Sequence, residues 1–154
     1  MRDGFVERGG LWVLAQGALL LAVAGLGVVC RNESKHLILL LGGLFFLATS
    51  ACCGIAGGRA LGRNLTPFPK PTAKARFVER GIYGLLRHPL YTAVFCGAVG
   101  WSLIRQSWPA LAVSLVLAVF FDAKARREET WLRQQFPAYA DYQKRVRRFL
   151  PWVY

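Results

Sequence analysis

The stretch TAVFCGAVGWSLIRQSWPALAVSLVLAVFFDA, from Thr92 to Ala123, decides the fold. Its residues are almost all apolar, apart from the short polar turn Arg105–Ser107. Two apolar segments joined by so short a turn are expected to lie side by side in opposite directions. We therefore predict a hairpin of two helices, Leu90–Ile104 and Trp108–Asp122, whose outer ends lie on the same side.

Two longer apolar runs precede this hairpin. Leu11–Val29 has 19 residues and Leu37–Ala56 has 20, and a helix rising about 1.5 Å per residue crosses a hydrocarbon layer of roughly 30 Å at this length. The first run is too long for the core of a signal peptide. The hairpin helices reach only about 22 Å each and require a thinned bilayer, a snorkelling Arg105 or shallow insertion. The sequence predicts an all-α integral membrane protein with four membrane helices, of which the last two form the hairpin.

The charge distribution predicts how these helices are oriented. The chain carries 20 basic and 8 acidic residues, a net charge of +12. With four membrane segments, 17 basic residues fall on one side and 3 on the other. Because basic residues accumulate in cytoplasmic segments, we expect both termini in the cytoplasm of a multi-pass protein in a cell membrane such as the bacterial inner membrane. Anionic lipid headgroups account for the excess charge better than nucleic acid.

The fourth helix is expected to continue past the membrane surface. Asp122–Phe136 contains no glycine or proline, and Pro137 is a natural terminator. This cytoplasmic helical extension carries Glu128 and Glu129, which the hairpin brings towards Arg87 and His88. In contrast, Gly57–Arg87 is predicted to be a loop, because it is first rich in glycine and then in proline.

Metal binding is not expected from this sequence. The two histidines, His36 and His88, lie in different loops. The four cysteines show no CxxC spacing and fall in or beside apolar runs, which is typical of small packing residues.

Three polar clusters flank the hairpin, and each has an ordinary structural interpretation. Arg87–Tyr91 could anchor a helix at the membrane interface. Glu128 and Glu129 could be solvated helix charges, with Glu129 paired to Arg133 one turn later. Tyr139–Arg148 could be an amphipathic interfacial segment.

Together, however, the clusters form a recognisable pattern. It reads G-x-Y-x-x-x-R-H-P-x-Y-x-A before the hairpin, then E-E-x-x-L, then Y-x-x-Y-x-x-x-V-x-R-F-x-P, from Leu61 to Pro151 with a preceding N-L-T-P-x-P. This pattern resembles the isoprenylcysteine carboxyl methyltransferase family and its relatives among the phospholipid methyltransferases. The resemblance implies a methyltransferase core at 61–154 and an N-terminal two-helix membrane region at 1–60.

The resemblance further implies that S-adenosyl-L-methionine binds in a cytoplasmic pocket between the hairpin and the C-terminal segment. Glu129 is expected to accept the two ribose hydroxyl protons, with Glu128 as its neighbour or as partner of the cofactor ammonium. Arg87 or His88 would meet the cofactor carboxylate. The predicted cofactor-binding residues are Tyr83, Arg87, His88, Tyr91, Glu128 and Glu129, where the two tyrosines wall the adenine or lie near the sulfonium.

The methyl acceptor stays open. It is expected to be a lipid-linked or apolar molecule that enters from the bilayer, and it carries a carboxylate, an amine or a thiol. A carboxylate needs no base, whereas for an amine or thiol His88 is the candidate catalytic base. Arg148 is the second predicted catalytic residue, for an anionic group of substrate or cofactor. No obligate protein partner is evident.

Two functions outside catalysis are alternatives to a methyltransferase. A small exporter is disfavoured because no ionisable residue lies in the middle of an apolar run. A structural membrane protein that binds anionic lipid through its basic C-terminal segment stays possible, and it would not bind the cofactor.

Overall fold

A computed structural model describes residues 4–33, 36–72 and 75–150 of the chain. Several residues used in the sequence analysis lie outside these ranges: Arg2, Lys35, Lys74, Pro151 and Tyr154. In the part that is described, the secondary structure is helical apart from one isolated bridge between Leu86 and Arg147. The prediction of an all-α chain is thereby confirmed.

The described chain contains five α-helices. They are α1 (Gly10–Val29), α2 (Leu37–Leu61), α3 (Pro89–Ile104), α4 (Trp108–Gln135) and α5 (Tyr139–Arg145), with short 3-10 turns at Gly62–Asn64 and Gly81–Gly84. Three helical segments, Gly10–Val29, Leu37–Asn64 and Trp108–Gln135, are long and apolar enough to cross a membrane. The apolar helix α3 has 16 residues, about 24 Å at the usual rise per residue.

Helix α2 is longer than the sequence suggested. The expected loop beginning at Gly57 is wrong for residues 57–61, which continue the helix. Gly57 is buried, and a Cβ placed there would lie 3.1 Å from Leu90 Cδ2 and 3.3 Å from Pro89 Cγ. The glycine therefore provides a close approach between α2 and the beginning of α3 and does not end the helix.

Small residues pack α2 closely along α3. Gly43 lies against Gly100 and Ile104, and the Ser50 hydroxyl donates a 2.7 Å hydrogen bond to the carbonyl oxygen of Ala93. Such contacts allow two helix backbones to approach where lipid offers no hydrophobic drive for association. Helix α2 is thereby fixed against α3, which begins directly after His88.

Polar residues close the opposite end of the bundle. The Arg105 Nε–H donates to the carbonyl oxygen of Gly27 at 2.9 Å, and the Ser107 hydroxyl donates to that of Leu26 at 3.0 Å. Ser107 also caps α4 by accepting from the Ala110 N–H. These bonds attach the end of α1 to the α3–α4 connection.

The outer faces of the helices are apolar. Leu21 in α1, Ile38 in α2 and Val119 in α4 are 75%, 83% and 72% exposed. Faces of this kind are unstable in water and are typical of contact with lipid. The bundle therefore has the surface of a membrane protein.

The α2–α3 packing predicts different effects for two adjacent glycines. A Cβ at Gly43 would lie 2.6 Å from Ile104 Cγ1 and 2.9 Å from the Gly100 carbonyl oxygen, whereas one at Gly42 would meet only Leu103 Cδ1 at 3.7 Å. We expect Gly43→Ala to lower the free energy of unfolding by about 1–2 kcal/mol, because the backbones must separate. Gly42→Ala is expected to be neutral or stabilising by about 0.5–1 kcal/mol. Thermal unfolding in detergent measures both, and equal midpoints would contradict the close packing.

Candidate functional site

The segment around the Arg-His-Pro motif is joined to the C-terminal segment through the backbone. The Arg87 N–H donates to the Arg147 carbonyl oxygen at 2.9 Å, and the His88 N–H donates to that of Arg148 at 3.2 Å. His88 precedes Pro89, the first residue of α3, and makes no side-chain cap, so its ring bonds to other partners. Residues separated by about 60 positions in sequence thus become neighbours.

Glu129 occupies the centre of this junction and is only 3% exposed. Its Oε1 lies 3.1 Å from His88 Nε2 and 3.0 Å from Arg87 Nε, and its Oε2 accepts from Arg148 at 2.9 Å. The Gln143 amide donates to Oε2 as well, at 2.9 Å. The simple pairing of Glu129 with Arg133 is therefore wrong, and one carboxylate instead connects α4 with two distant segments.

Arg148 makes a second ion pair, because its guanidinium contacts Asp122 at 2.5 Å. Burial by itself would lower the pKa of Arg148, but its hydrogen bonds to Glu129 and Asp122 outweigh burial and raise the pKa. Arg148 thus stays charged, and it holds the C-terminal segment along one side of α4.

Glu128 is turned to a different set of partners. Its Oε2 accepts a 2.5 Å hydrogen bond from the Tyr91 hydroxyl, and His88 Nδ1 lies 3.9 Å away. The Tyr91 ring is stacked between His88, with centroids 5.2 Å apart, and Phe121, at 4.9 Å. The two neighbouring glutamates therefore have separate environments, although sequence alone could not separate them.

A cavity of about 710 Å³ lies beside this cluster. Helix α4 contributes Lys124, Glu128 and Leu132, which are spaced four residues apart and so share one face of the helix. Phe136, which directly follows the end of α4, also lines the cavity. Of the residues predicted from sequence, the following line the cavity: Tyr83, Arg87, His88, Tyr91 and Glu128. Glu129 and Arg148 are not among its lining residues.

Aromatic side chains enclose the end of the cavity that lies furthest along α4. Phe77 is stacked on Phe136 with centroids 5.7 Å apart, and it contacts the edges of Tyr139 and Tyr142. All four residues line the cavity. The four-residue spacing from Glu128 to Phe136 could have indicated this aromatic wall, whereas Phe77 comes from the long loop, which carries no such periodicity.

The tyrosines of this wall are neutral. Burial raises the pKa of Tyr142 well above its usual value, and its hydroxyl donates a 2.6 Å hydrogen bond to the carbonyl oxygen of Tyr83. Burial first, and then the Glu128 charge, raise the pKa of Tyr83. The cavity thus combines an apolar aromatic end with a polar wall formed by Glu128, Arg87 and His88.

No group of three or more His, Cys, Asp or Glu side chains suited to a metal ion occurs within the described ranges. The chemistry of the cavity is instead that of hydrogen-bonding groups and ring faces. Its volume is within the range of about 300–1,000 Å³ that small-molecule and cofactor sites occupy.

Three curated relatives each match about half of this chain. A nickel-cobalt-cadmium resistance protein of Alcaligenes xylosoxydans xylosoxydans is 36% identical over 75 residues, covering 48% of this chain and 35% of the relative. A probable protein-S-isoprenylcysteine O-methyltransferase of Oryza sativa is 34% identical over 80 residues, or 51% and 42% of the two chains. Protein-S-isoprenylcysteine O-methyltransferase of Schizosaccharomyces pombe is 35% identical over 78 residues, or 49% and 33%.

These relatives are longer proteins, and the matched segment spans about a third of the length of the first. The phospholipid methyltransferase family model matches residues 37–139. This range begins with α2 and includes the Arg87–Tyr91 motif and both central glutamates, while Arg148 lies beyond it. Because this match covers more than half of the chain, the protein belongs to the phospholipid methyltransferase family.

Proposed function

We propose that the protein is a membrane-embedded methyltransferase that uses S-adenosylmethionine to methylate a lipid-linked or apolar acceptor. The observation that carries this proposal is the cavity of about 710 Å³, in which a carboxylate, two basic side chains and an aromatic wall meet at the base of the apolar helices. The family membership supports methyl transfer. The identity of the cofactor and of the acceptor rests on the chemistry of the cavity.

The cavity residues fit the groups of S-adenosylmethionine. Glu128 can accept hydrogen bonds from ribose hydroxyls or from the cofactor ammonium. Arg87 and His88 offer donors for its carboxylate, and Phe77, Phe136 and Tyr139 offer ring surfaces for adenine. When bound, the cofactor supplies a methyl group on a positively charged sulfur, which the faces of aromatic rings such as Tyr91 attract.

We assign Glu128 and Glu129 complementary roles. Sequence analysis predicted Glu129 as the acceptor of the ribose hydroxyls, and that prediction remains open. Glu129 already forms ion pairs with Arg87 and Arg148 and a hydrogen bond with His88, whereas Glu128 lines the cavity. We therefore propose that Glu128 contacts the cofactor and that Glu129 positions the basic residues around it.

The role of His88 depends on the chemistry of the acceptor. Its Nε2 is bonded to Glu129, while Nδ1 lies on the side of Glu128. If the acceptor is a carboxylate, as the likeness to the isoprenylcysteine O-methyltransferase relatives favours, no proton has to be removed. The protein then contributes positioning and exclusion of water. For the amine of a phospholipid, or a small thiol, His88 would hold the departing proton. Arg148 acts through Glu129 and Asp122.

We further propose that α3 is a fourth membrane segment and forms a hairpin with α4. His88 at the beginning of α3 contacts Glu129 near the end of α4, and Ser102 bonds to Ser114 at the other end. This arrangement, with the basic residues concentrated beside the cavity, supports cytoplasmic termini. The 16 residues of α3 then require the local bilayer to be thin.

The two glutamates give the first test of this function. Glu128→Gln keeps the size of the side chain but removes the charge from the cavity wall, so the affinity for S-adenosylmethionine should fall about 10- to 100-fold with little change in thermal stability. Glu129→Gln should instead destabilise the protein by about 3 kcal/mol, because buried cations lose their partner. Calorimetric titration and thermal unfolding of detergent-purified protein separate the two effects.

If the wild-type protein does not bind S-adenosylmethionine, the proposed methyltransferase function is contradicted and the structural lipid-binding alternative is favoured. A large loss of affinity in Glu129→Gln, with unchanged stability and a silent Glu128→Gln, would return the ribose role to Glu129.

Topology is tested with reporter fusions in a bacterial host. Alkaline phosphatase fused after Tyr154 should be inactive, since the basic C-terminal segment is expected to stay in the cytoplasm. The same reporter fused after Asn32, in the α1–α2 connection, should be active and serves as the control. Activity of the C-terminal fusion would overturn the proposed orientation.

A further inference from the structure

Lys124 is a buried cation that the proposed cofactor site does not use. It lies in α4 and is 2% exposed. Its ammonium donates a 2.6 Å hydrogen bond to Gln16 Oε1 of α1, and it lies 5.0 Å from the centroid of the Tyr91 ring. Both Lys124 and Gln16 line the cavity.

Lys124 has no direct ion pair, although the charge of Glu128 acts on it from one helical turn away. Among the described residues, no carboxylate lies within 4.0 Å of its ammonium, and the Gln16 amide is its one hydrogen-bond partner. Glu128, one turn further along α4, is bonded to Tyr91 instead. A buried ammonium with no anion in direct contact is costly, and such a residue in an apolar helix usually marks a functional site.

The position of Lys124 within the cavity indicates what could pair with it. Along the cavity face of α4, Glu128 lies about 6 Å from Lys124, and Phe136 lies about 18 Å away in the same direction. Lys124 is therefore at the end opposite the aromatic wall, nearer the apolar half of α4. Val13 of α1 and Val94 of α3 also line the cavity and are apolar. This end thus combines one cation with surfaces suited to a hydrocarbon chain.

We propose that Lys124, held in place by Gln16, binds the anionic head of the methyl acceptor, which is an amphiphile bearing a carboxylate. This inference rests on the proposed function, since it assigns the Glu128 and aromatic portion of the cavity to the cofactor. An acceptor with a protonated amine would be repelled by the same ammonium, and a neutral head would leave the charge uncompensated. Lys124 is thereby a specificity-determining residue.

Binding of two amphiphiles with the same number of carbons and opposite head charges tests the proposal. Full-length protein in nanodiscs, saturated with S-adenosylhomocysteine, is titrated with dodecanoate or dodecylamine, and the heat measured with empty nanodiscs is subtracted. Wild type should bind dodecanoate and show no cavity-specific binding of dodecylamine. Lys124→Met keeps the length of the side chain without its charge, so the affinity for dodecanoate should fall about 10- to 100-fold.

Two further variants keep the test specific. Lys124→Arg retains the charge and should keep dodecanoate affinity within about threefold of wild type. Lys144→Met removes an exposed cation whose side chain is 76% exposed, and it should leave both ligands unaffected. Affinity for S-adenosylhomocysteine should be unchanged in all variants, which also shows that each one is folded.

The possible failures are distinguishable. If wild type fails to bind S-adenosylhomocysteine, the proposed function itself is contradicted. If that affinity is intact but dodecanoate binds equally well to wild type and Lys124→Met, or dodecylamine binds as tightly as dodecanoate, the acceptor assignment is overturned and Lys124 only connects α4 to α1.

Discussion

One buried carboxylate determines the architecture around the cavity. Glu129 contacts Arg87 and His88 before α3 and Arg148 after α5, so a single residue of α4 connects its helix to two segments that are distant in sequence. Each of these cations would be costly to bury alone, and the carboxylate compensates them together. The backbone bonds from Arg87 and His88 to Arg147 and Arg148 depend on the same junction. Formation of this junction fixes the positions of Arg87 and His88 in the cavity wall.

The order of residues along α4 sets the order of chemical groups along the cavity. Lys124, Glu128 and Leu132 follow one face of that helix, and Phe136 comes directly after its end. An ammonium, a carboxylate and an aromatic surface therefore follow one another from the apolar bundle outwards. Such an order suits a reaction between a polar cofactor and an acceptor that arrives from lipid. The small-residue contacts between α2 and α3 place the remaining wall, because they bring Gly54 and Gly57 close to the beginning of α3.

Sequence predicted the parts of this molecule that periodicity and local chemistry control. The long apolar helices, the end of α4 near Pro137 and the proximity of Arg87 and His88 to the two glutamates all follow from such signals. The helical state of 57–61 was missed, because glycine in a sequence cannot show that it serves a close helix contact. The different environments of Glu128 and Glu129 were also beyond reach. They depend on how α4 is rotated about its axis, which packing against Tyr91 and Arg148 determines.

Photolabelling with 8-azido-S-adenosylmethionine tests cofactor binding in this cavity most directly. Irradiation of the membrane-embedded protein, followed by mass spectrometry of its peptides, should place the label on Phe77 or on the segment from Phe136 to Tyr142, where the aromatic wall faces the cavity. An excess of S-adenosylhomocysteine should abolish the label. Label on the lipid-facing surfaces of α1 and α2, or label that the competitor does not displace, would contradict a cofactor site between the α3–α4 base and the C-terminal segment.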